Sequence, residues 1–138
     1  MSPTTCQVLL LGDRSVPLAS LAAALREQGL AVAVKPRDPA AVPAAASADA
    51  VVIVADEDGK GCVATIRDLR AAYPDLPVFL VGRRYAVDVA LSALDLGVVD
   101  YLSRPVNPAK LCERIEDAVE RRACLQELAR HRAARAAR

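Results

Sequence analysis

Short apolar runs alternate with segments of helical periodicity along most of the chain. The apolar runs predict five β-strands, at Cys6 to Leu11, Ala31 to Val34, Ala50 to Ala55, Val78 to Val81 and Val98 to Leu102. Residues 51–54 and 78–81 are continuously apolar, as is typical of central parallel strands that are buried on both faces. The alternation therefore predicts an α/β fold in which helices cover both faces of one parallel sheet.

The first two predicted helices differ in how clearly the sequence marks them. The first is predicted to begin at Ser15, whose hydroxyl can cap it, and to stop at Gly29. Between Pro36 and Ser47 the composition is mostly Ala and Pro, so the second helix is expected to be short or irregular.

The third and fourth predicted helices span about Gly61 to Ala72 and Ala86 to Leu96. In the fourth, Val89, Ala90 and Leu94 are expected to face the sheet. The fifth follows Pro108 and carries apolar residues at three-to-four spacing, namely Leu111, Ile115, Ala118, Val119, Leu125 and Leu128.

The fifth helix continues further than a compact domain requires. From Arg121 onward its apolar stripe thins and arginines accumulate. We therefore expect a domain over residues 1–122, followed over residues 123–138 by an extension of the last helix or a linker to an output domain.

Composition indicates a globular domain, because 54% of the 138 residues are hydrophobic and 25% are charged. One Phe and no Trp predict an aliphatic core. The net charge of +1 gives no overall field that would attract an anionic membrane or nucleic acid. We expect no membrane partner, and nucleic acid only through an output domain that this chain does not contain.

The cysteines and the histidine predict no metal site. Cys6, Cys62, Cys112 and Cys124 form no C-x-x-C pair, and we expect them to be small buried hydrophobic residues. His131 is the only histidine, which excludes a histidine-based triad. Neither a signal peptide nor a spanning segment is evident, so we expect a cytoplasmic protein. We also expect no cofactor.

Two segments resemble the receiver domains of bacterial response regulators: LPVFLVG at residues 76–82 and GVVDYLSRP at residues 97–105. The resemblance extends over about residues 6–122 and implies the CheY-like, flavodoxin-like fold, a doubly wound sheet with strand order 2-1-3-4-5. It also implies the family's site at the carboxyl ends of the strands. There, two adjacent acids after the first strand hold Mg²⁺, an Asp ending the third accepts phosphate, a Thr or Ser ends the fourth, and a Lys ends the fifth.

The metal and phosphoacceptor positions of this family are only partly retained here. The acidic pair becomes Gly12 and Asp13, which leaves Asp13 as a residual candidate metal ligand. Counting from Asp49, which matches the acid that often opens the third strand, the phosphoacceptor position falls on Val54. A valine cannot be phosphorylated.

The two remaining family positions are also altered. Gly82 stands where the family has a hydroxyl, and Arg104 stands where it has a lysine, so charge is kept without the compact ammonium geometry. The resemblance raises the expectation of a cis peptide between Arg104 and Pro105. Arg83 and Arg84 offer, with Arg104, a basic rim for an anion, although exposed arginines more often solvate a loop. The resemblance therefore indicates a degenerate receiver, or pseudo-receiver.

The acidic segment DEDGKG at residues 56–61 leaves an alternative open. A shifted loop would place Asp56 near Asp13 and Arg104 and make it the phosphoacceptor. We favour the other interpretation, a solvated acidic turn before the third helix. Asp13, in turn, is expected to cap the first helix or to pair with Arg14 or Arg104 rather than to bind a metal.

Tyr101 occupies the position of the family's switch aromatic, which in working receivers turns inward when the hydroxyl residue moves toward phosphate. With Gly82 here, we expect Tyr101 to be a fixed contact, either over Gly82 or on the surface formed by the fourth helix, fifth strand and fifth helix. That surface is the family's usual dimer and partner face. Its charged residues here include Asp88, Asp95, Asp100, Lys110, Arg114 and Asp117.

Three functional hypotheses follow. The first is a phosphorylation-independent signalling module that acts by protein contact or dimerisation, as the N-terminal regulatory part of a transcriptional regulator. The second is a phosphorylatable receiver that uses Asp56. The third is the receiver-like wing domain of some basic amino-acid decarboxylases, ranked last because those wings lack the Arg-Pro ending. No catalytic activity is expected, since the sequence has no plausible pair of nucleophile and base.

Overall fold

A computed structural model of the chain describes residues 5–12, 17–55 and 60–137, with Lys60 described by its backbone alone. Within these residues, five strands form one parallel sheet with the order β2-β1-β3-β4-β5, which confirms the predicted topology. The strands are β1 (Gln7–Gly12), β2 (Ala31–Pro36), β3 (Ala50–Val54), β4 (Val78–Gly82) and β5 (Asp100–Ser103). Every residue of β3 and β4 is buried, so the two continuous apolar runs lie at the centre of the sheet.

The helices lie on both faces of the sheet. Among the described residues they are α1 (Ala19–Glu27), a 3₁₀ helix (Pro39–Ser47), α2 (Lys60–Ala72), α3 (Val87–Asp95) and α4 (Pro108–Ala136). The 3₁₀ helix is the irregular second helix expected from the sequence. Pro43 lies inside it and has no N–H to donate, which disfavours a regular α-helical ladder.

The start of α1 differs from the prediction. The helix begins at Ala19 and not at Ser15, which lies outside the described residues. Pro17 disfavours a helical conformation in the residue before it, so the helix starts only after the proline. Its inner face is nevertheless as predicted, since Ala22 and Leu25 are buried.

The orientation of α3 is also partly different. Val89 and Leu96 pack against the core and Ala93 is fully buried, whereas Leu94 is 47% exposed. The prediction that Leu94 faces the sheet was therefore wrong, because Ala93 takes the inward position.

Two apolar clusters, one on each face of the sheet, hold the domain together. One joins the sheet to the 3₁₀ helix, α2 and α3, with Ile66 and Leu69 fully buried. The other joins it to α1 and α4, with Phe79 and Ile115 fully buried. Both clusters are mainly aliphatic, as the composition predicted. No helix in the described ranges has the length and apolar character that crossing a membrane requires.

The last helix, α4, has a buried beginning and an exposed end. The side chain of Asn107 caps it by accepting hydrogen bonds from the main-chain N–H groups of Ala109 (3.0 Å) and Lys110 (3.4 Å). Its first turns bury Leu111, Cys112 and Ile115. All described residues from 123 onward are exposed, so the second half of this helix leaves the body of the domain.

Candidate functional site

The carboxyl ends of four strands lie side by side at one edge of the sheet. Gly12 at the end of β1 pairs with Val54 at the end of β3, and Gly82 at the end of β4 pairs with Ser103 on β5. The main-chain N–H of Arg104 donates to the carbonyl of Gly82 at 2.8 Å. The fold therefore brings together the positions of Gly12, Val54, Gly82 and Arg104, as expected for the candidate site.

Among the described residues, the part of this edge around Val54 is apolar and closely packed. Val54 is only 3% exposed and packs in one cluster with Leu18 and Val81. Leu18 covers Gly12, since a Cβ atom added at Gly12 would lie 2.8 Å from both terminal methyl carbons of Leu18. The space that a side chain at position 12 would need is thus taken by a leucine. Sequence reasoning did not predict this role for Leu18.

Tyr101 covers Gly82 in a similar way. Its hydroxyl donates a hydrogen bond to the carbonyl of Arg83 at 2.7 Å, and a Cβ atom added at Gly82 would collide with that hydroxyl. Burial raises the pKa of Tyr101, while the nearby charges of Arg104 and Arg83 oppose this effect. Tyr101 therefore lies in the first of the two positions considered for it, over Gly82.

Two further predicted residues of the site lie outside the described ranges. They are Asp13, the residual candidate metal ligand, and Asp56, the alternative phosphoacceptor. The peptide between Arg104 and Pro105 is cis, as the resemblance led us to expect. In residues 5–12, 17–55 and 60–137, no group of three or more His, Cys, Asp or Glu side chains converges on a metal-sized space.

Arg37, at the end of β2, is a further residue beside this edge that the sequence did not single out. Its guanidinium covers Gly61 at the start of α2 and donates to the hydroxyl of Thr65 at 3.3 Å. Its main-chain N–H donates to the carbonyl of Gly12 at 2.9 Å. Arg37 thereby ties the end of β2 to the start of α2.

Comparisons with known proteins agree with this geometry, although no protein-family model matches the chain. The transcriptional regulatory protein PrrA of Mycobacterium tuberculosis is 33% identical over 121 residues, which cover 86% of this chain. The solved structure of FixJ-N is 25% identical with a TM-score of 0.72, and the match covers 86% of this chain and 96% of that one. The chain is a CheY-like receiver domain.

Further matches are of the same type. A response-regulator receiver domain from Clostridium thermocellum superposes with a TM-score of 0.77 at 21% identity, covering 87% of this chain and 98% of that one. NtrX from Brucella abortus gives a TM-score of 0.77 at 20% identity, with 94% of this chain matching 30% of that one. The chain spans about half, 52%, of the length of PrrA.

The predicted partner face of the receiver domain lies on α3, β5 and α4. Asp100 on β5 forms an ion pair with Arg114 on α4, and its other carboxylate oxygen accepts a hydrogen bond from the N–H of Tyr101 at 2.9 Å. The other charged residues predicted there are exposed, namely Asp88, Asp95, Lys110 and Asp117. Two of the six charged side chains are thus already paired within the domain.

An apolar stripe accompanies these charges and was not predicted. Val87, Leu91 and Leu94 follow one another at helical spacing on α3 and are 60%, 57% and 47% exposed. Large apolar side chains that line up on an exposed helix are typical of a contact surface. We call this set of three residues the α3 stripe.

The four cysteines all lie within the described residues, form no disulfide and differ in exposure. Cys62 and Cys112 are buried, Cys6 is partly buried, and Cys124 is exposed, so the expectation of four buried cysteines was wrong for Cys124. Burial raises the pKa of Cys6 to about 11. Burial, with a hydrogen bond from the thiol to Glu116 at 3.1 Å, raises the pKa of Cys112 to about 11 as well. These two thiols are therefore poor nucleophiles at neutral pH.

A side chain at position 82 is expected to displace Tyr101. In Gly82→Ala, the new Cβ collides with the Tyr101 hydroxyl, so the ring swings outward and its hydrogen bond to Arg83 is lost. We expect a loss of about 1 kcal/mol of unfolding free energy and a fall of the Tyr101 pKa toward that of a solvated tyrosine, because the ring becomes exposed. NMR of the Tyr101 ring during a pH titration measures the change in pKa, and chemical denaturation measures the loss of unfolding free energy.

The matched control for this substitution is Tyr101→Phe. It removes the hydroxyl, and hence the hydrogen bond, without adding an atom at position 82. If Gly82→Ala leaves the NMR signals of Tyr101 where they are in the wild type, the close packing of these two residues is refuted.

Proposed function

We propose that this receiver domain is a phosphorylation-independent module of two-component signalling that acts through protein contacts. The observation that carries the proposal is the apolar strand edge, where Val54 stands at the phosphoacceptor position and is buried in the same apolar cluster as Leu18. Phosphoryl transfer requires an acceptor oxygen and cations that neutralise the phosphoryl charge. Neither Val54 nor the covered Gly12 offers an oxygen ligand on a side chain.

The fixed position of Tyr101 supports the same proposal. A switch requires two arrangements of similar free energy, between which a signal can shift the population. Here the ring already fills the space over Gly82, and its hydroxyl is hydrogen-bonded to Arg83. Control by association with another molecule, rather than by an inward turn of Tyr101, fits this arrangement.

We propose that the contact is made through α3, β5 and α4, either with a second copy or with another protein. The α3 stripe supplies apolar area at this face. The exposed Asp88, Asp95 and Asp117 carry negative charge, and Lys110 carries positive charge. Mixed charges around an apolar centre are the usual composition of a specific interface.

We propose further that residues 1–122 form the receiver unit and that residues 123–138 connect it to an output. The second half of α4 is exposed along its described length and continues the helix without a break. The similarity to a transcriptional regulatory protein that is about twice as long supports a DNA-binding output, and a cytoplasmic location goes with it. We propose no catalytic activity. The similarity to a transcriptional regulatory protein and to a response-regulator receiver domain disfavours the decarboxylase-wing hypothesis.

Phosphorylation is tested with acetyl phosphate and Mg²⁺, using the full chain and its Asp56→Ala variant. We expect no acid-labile phosphate on either protein, while a conventional receiver domain treated in parallel becomes labelled. Acid-labile phosphate on the wild type that disappears in Asp56→Ala would refute phosphorylation independence and establish Asp56 as the acceptor.

Association is tested by light scattering with a change in the α3 stripe. Leu91→Lys places a charge in the centre of the stripe and is expected to convert a dimer into a monomer. Val34→Lys, at an exposed valine of 42% exposure on the edge strand β2, is the matched control and should leave the dimer intact. A wild type that is monomeric and binds no protein through this face would contradict the contact mechanism.

A further inference from the structure

A groove of about 590 Å³ lies at the end of the sheet opposite to the degenerate site. Its walls are the segments that enter β4 and β5 and one side of α4, where that helix leaves the body. The residues that matter most for its chemistry are Arg70, Leu76, Phe79, Val99, Arg122 and Leu125. Its volume lies within the range of small-molecule pockets, about 300–1,000 Å³.

Arg70, on α2, brings an unsatisfied donor to this groove. Its two terminal nitrogens donate to the carbonyls of Pro74 (2.7 Å) and Leu76 (2.5 Å), which fixes the guanidinium in place. Its Nε is buried and has no hydrogen-bond acceptor in the described part of the chain. Burial lowers the pKa of Arg70, with Asp75 opposing the effect.

Arg122, on α4, belongs to the opposite wall of the groove and also has a side-chain donor without an acceptor within the described ranges. Its Nε is also buried and finds no acceptor among the described residues. A buried N–H without an acceptor destabilises the protein, and native proteins contain few of them. Both side chains line the groove, and because their Nε atoms have almost no exposed surface, an acceptor between the walls reaches them only when α4 tilts away from the body.

The remaining lining gives the groove a mixed character. Arg114 and Arg121 add positive charge, while Asp75, Asp100 and Asp117 add negative charge, and Asp100 is already paired with Arg114. The apolar part consists of Leu76, Pro77, Phe79, Val99, Ala118, Leu125 and Ala129. An occupant that suits both parts has an anionic group and an apolar body.

We propose that this groove binds a small organic anion. Its carboxylate or phosphate oxygens accept hydrogen bonds from the Nε groups of Arg70 and Arg122, and its apolar body lies against Val99 and Leu125. Guanidinium groups suit such oxygens, because their N–H donors are charged and rigidly placed. The groove shares no residue with the strand edge around Val54, while Asp100, Arg114 and Asp117 belong both to its lining and to the proposed contact face.

Binding of a ligand in this groove would change the orientation of α4 relative to the body of the domain. One wall belongs to the body of the domain and the other to α4 at and beyond Arg114. A ligand that contacts both walls favours one angle between them, so the groove can report the presence of a small metabolite to whatever follows α4.

The test uses anilinonaphthalene sulfonate, an aromatic anion, as a fluorescent probe of the full chain. We expect saturable binding to the wild type. Binding to Arg122→Gln, which loses a charged donor, should be weaker by a factor of about ten or more. The matched control is Arg130→Gln on the same helix, since Arg130 is exposed, pairs with Glu127 and does not line the groove. Its affinity should equal that of the wild type.

The binding site is located by amide NMR shifts upon addition of the same probe. Gly97 and Ala118, which line the groove, are expected to shift, and Gly82 at the opposite strand edge is not. Absence of saturable binding, equal weakening in Arg130→Gln, or shifts centred on Gly82 would each overturn the proposal. Circular dichroism verifies that both variants keep the wild-type helix content.

Discussion

Phe79→Ala is expected to lower the free energy of unfolding by about 3–5 kcal/mol. Phe79 is the only phenylalanine of the chain and is fully buried in the middle of β4. It packs in the cluster that joins the sheet to α1 and α4, where Leu111 and Ile115 are also fully buried. The surrounding strands cannot collapse into the space, so most of the cavity remains.

Chemical denaturation followed by circular dichroism measures this loss. Val87→Ala is the matched control, because Val87 is 60% exposed and its truncation should change stability by less than about 0.5 kcal/mol. A loss below about 1 kcal/mol in Phe79→Ala would contradict the described packing of the core.

Val54→Asp is expected to cost about 3 kcal/mol or more at neutral pH. The substitution places a carboxylate in an apolar site that is 3% exposed and belongs to the same cluster as Leu18 and Val81. Burial raises the pKa of the new carboxyl above its value in the unfolded chain, about 3.9. The penalty is therefore smallest below that pH, where both states are protonated, and it grows as the pH rises.

Denaturation of this variant at pH 4 and pH 7 measures the expected difference. Val54→Thr is the control, because it has nearly the shape of valine and introduces a polar group without an ionisable one. A Val54→Asp variant that is as stable as the wild type, and that Mg²⁺ stabilises further, would show that the strand edge still works as a receiver site.

The sheet was predictable because the relevant signal is local. The apolar runs at residues 51–54 and 78–81 indicate central strands because helical segments flank them, whereas the strand order was an expectation from the resemblance to receiver domains. The orientation of α3 was less predictable, since this helix is apolar on two sides. Ala93 faces the core and Leu91 faces outward, and periodicity alone does not say which side a sheet will cover.

The sequence predicted which reactive side chains the candidate site lacks, but not which residues occupy the space instead. Counting along the chain finds Val54 and Gly82 at positions where the family has reactive groups. That Leu18 covers Gly12 and Tyr101 covers Gly82 depends on tertiary packing. The groove escaped prediction for a related reason, because Arg70 is held by main-chain carbonyls, which every residue has.

The length of α4 gives the domain a mechanical property. The helix is buried up to Ile115 and runs on to Ala136, a further distance of about 30 Å at 1.5 Å per residue. A tilt of about 10° in the anchored turns would thus swing the far tip through an arc of about 5 Å. The last helix therefore acts as a lever. A shift of its anchored turns that is too small to disturb the sheet moves its far tip by a distance comparable to the diameter of a side chain.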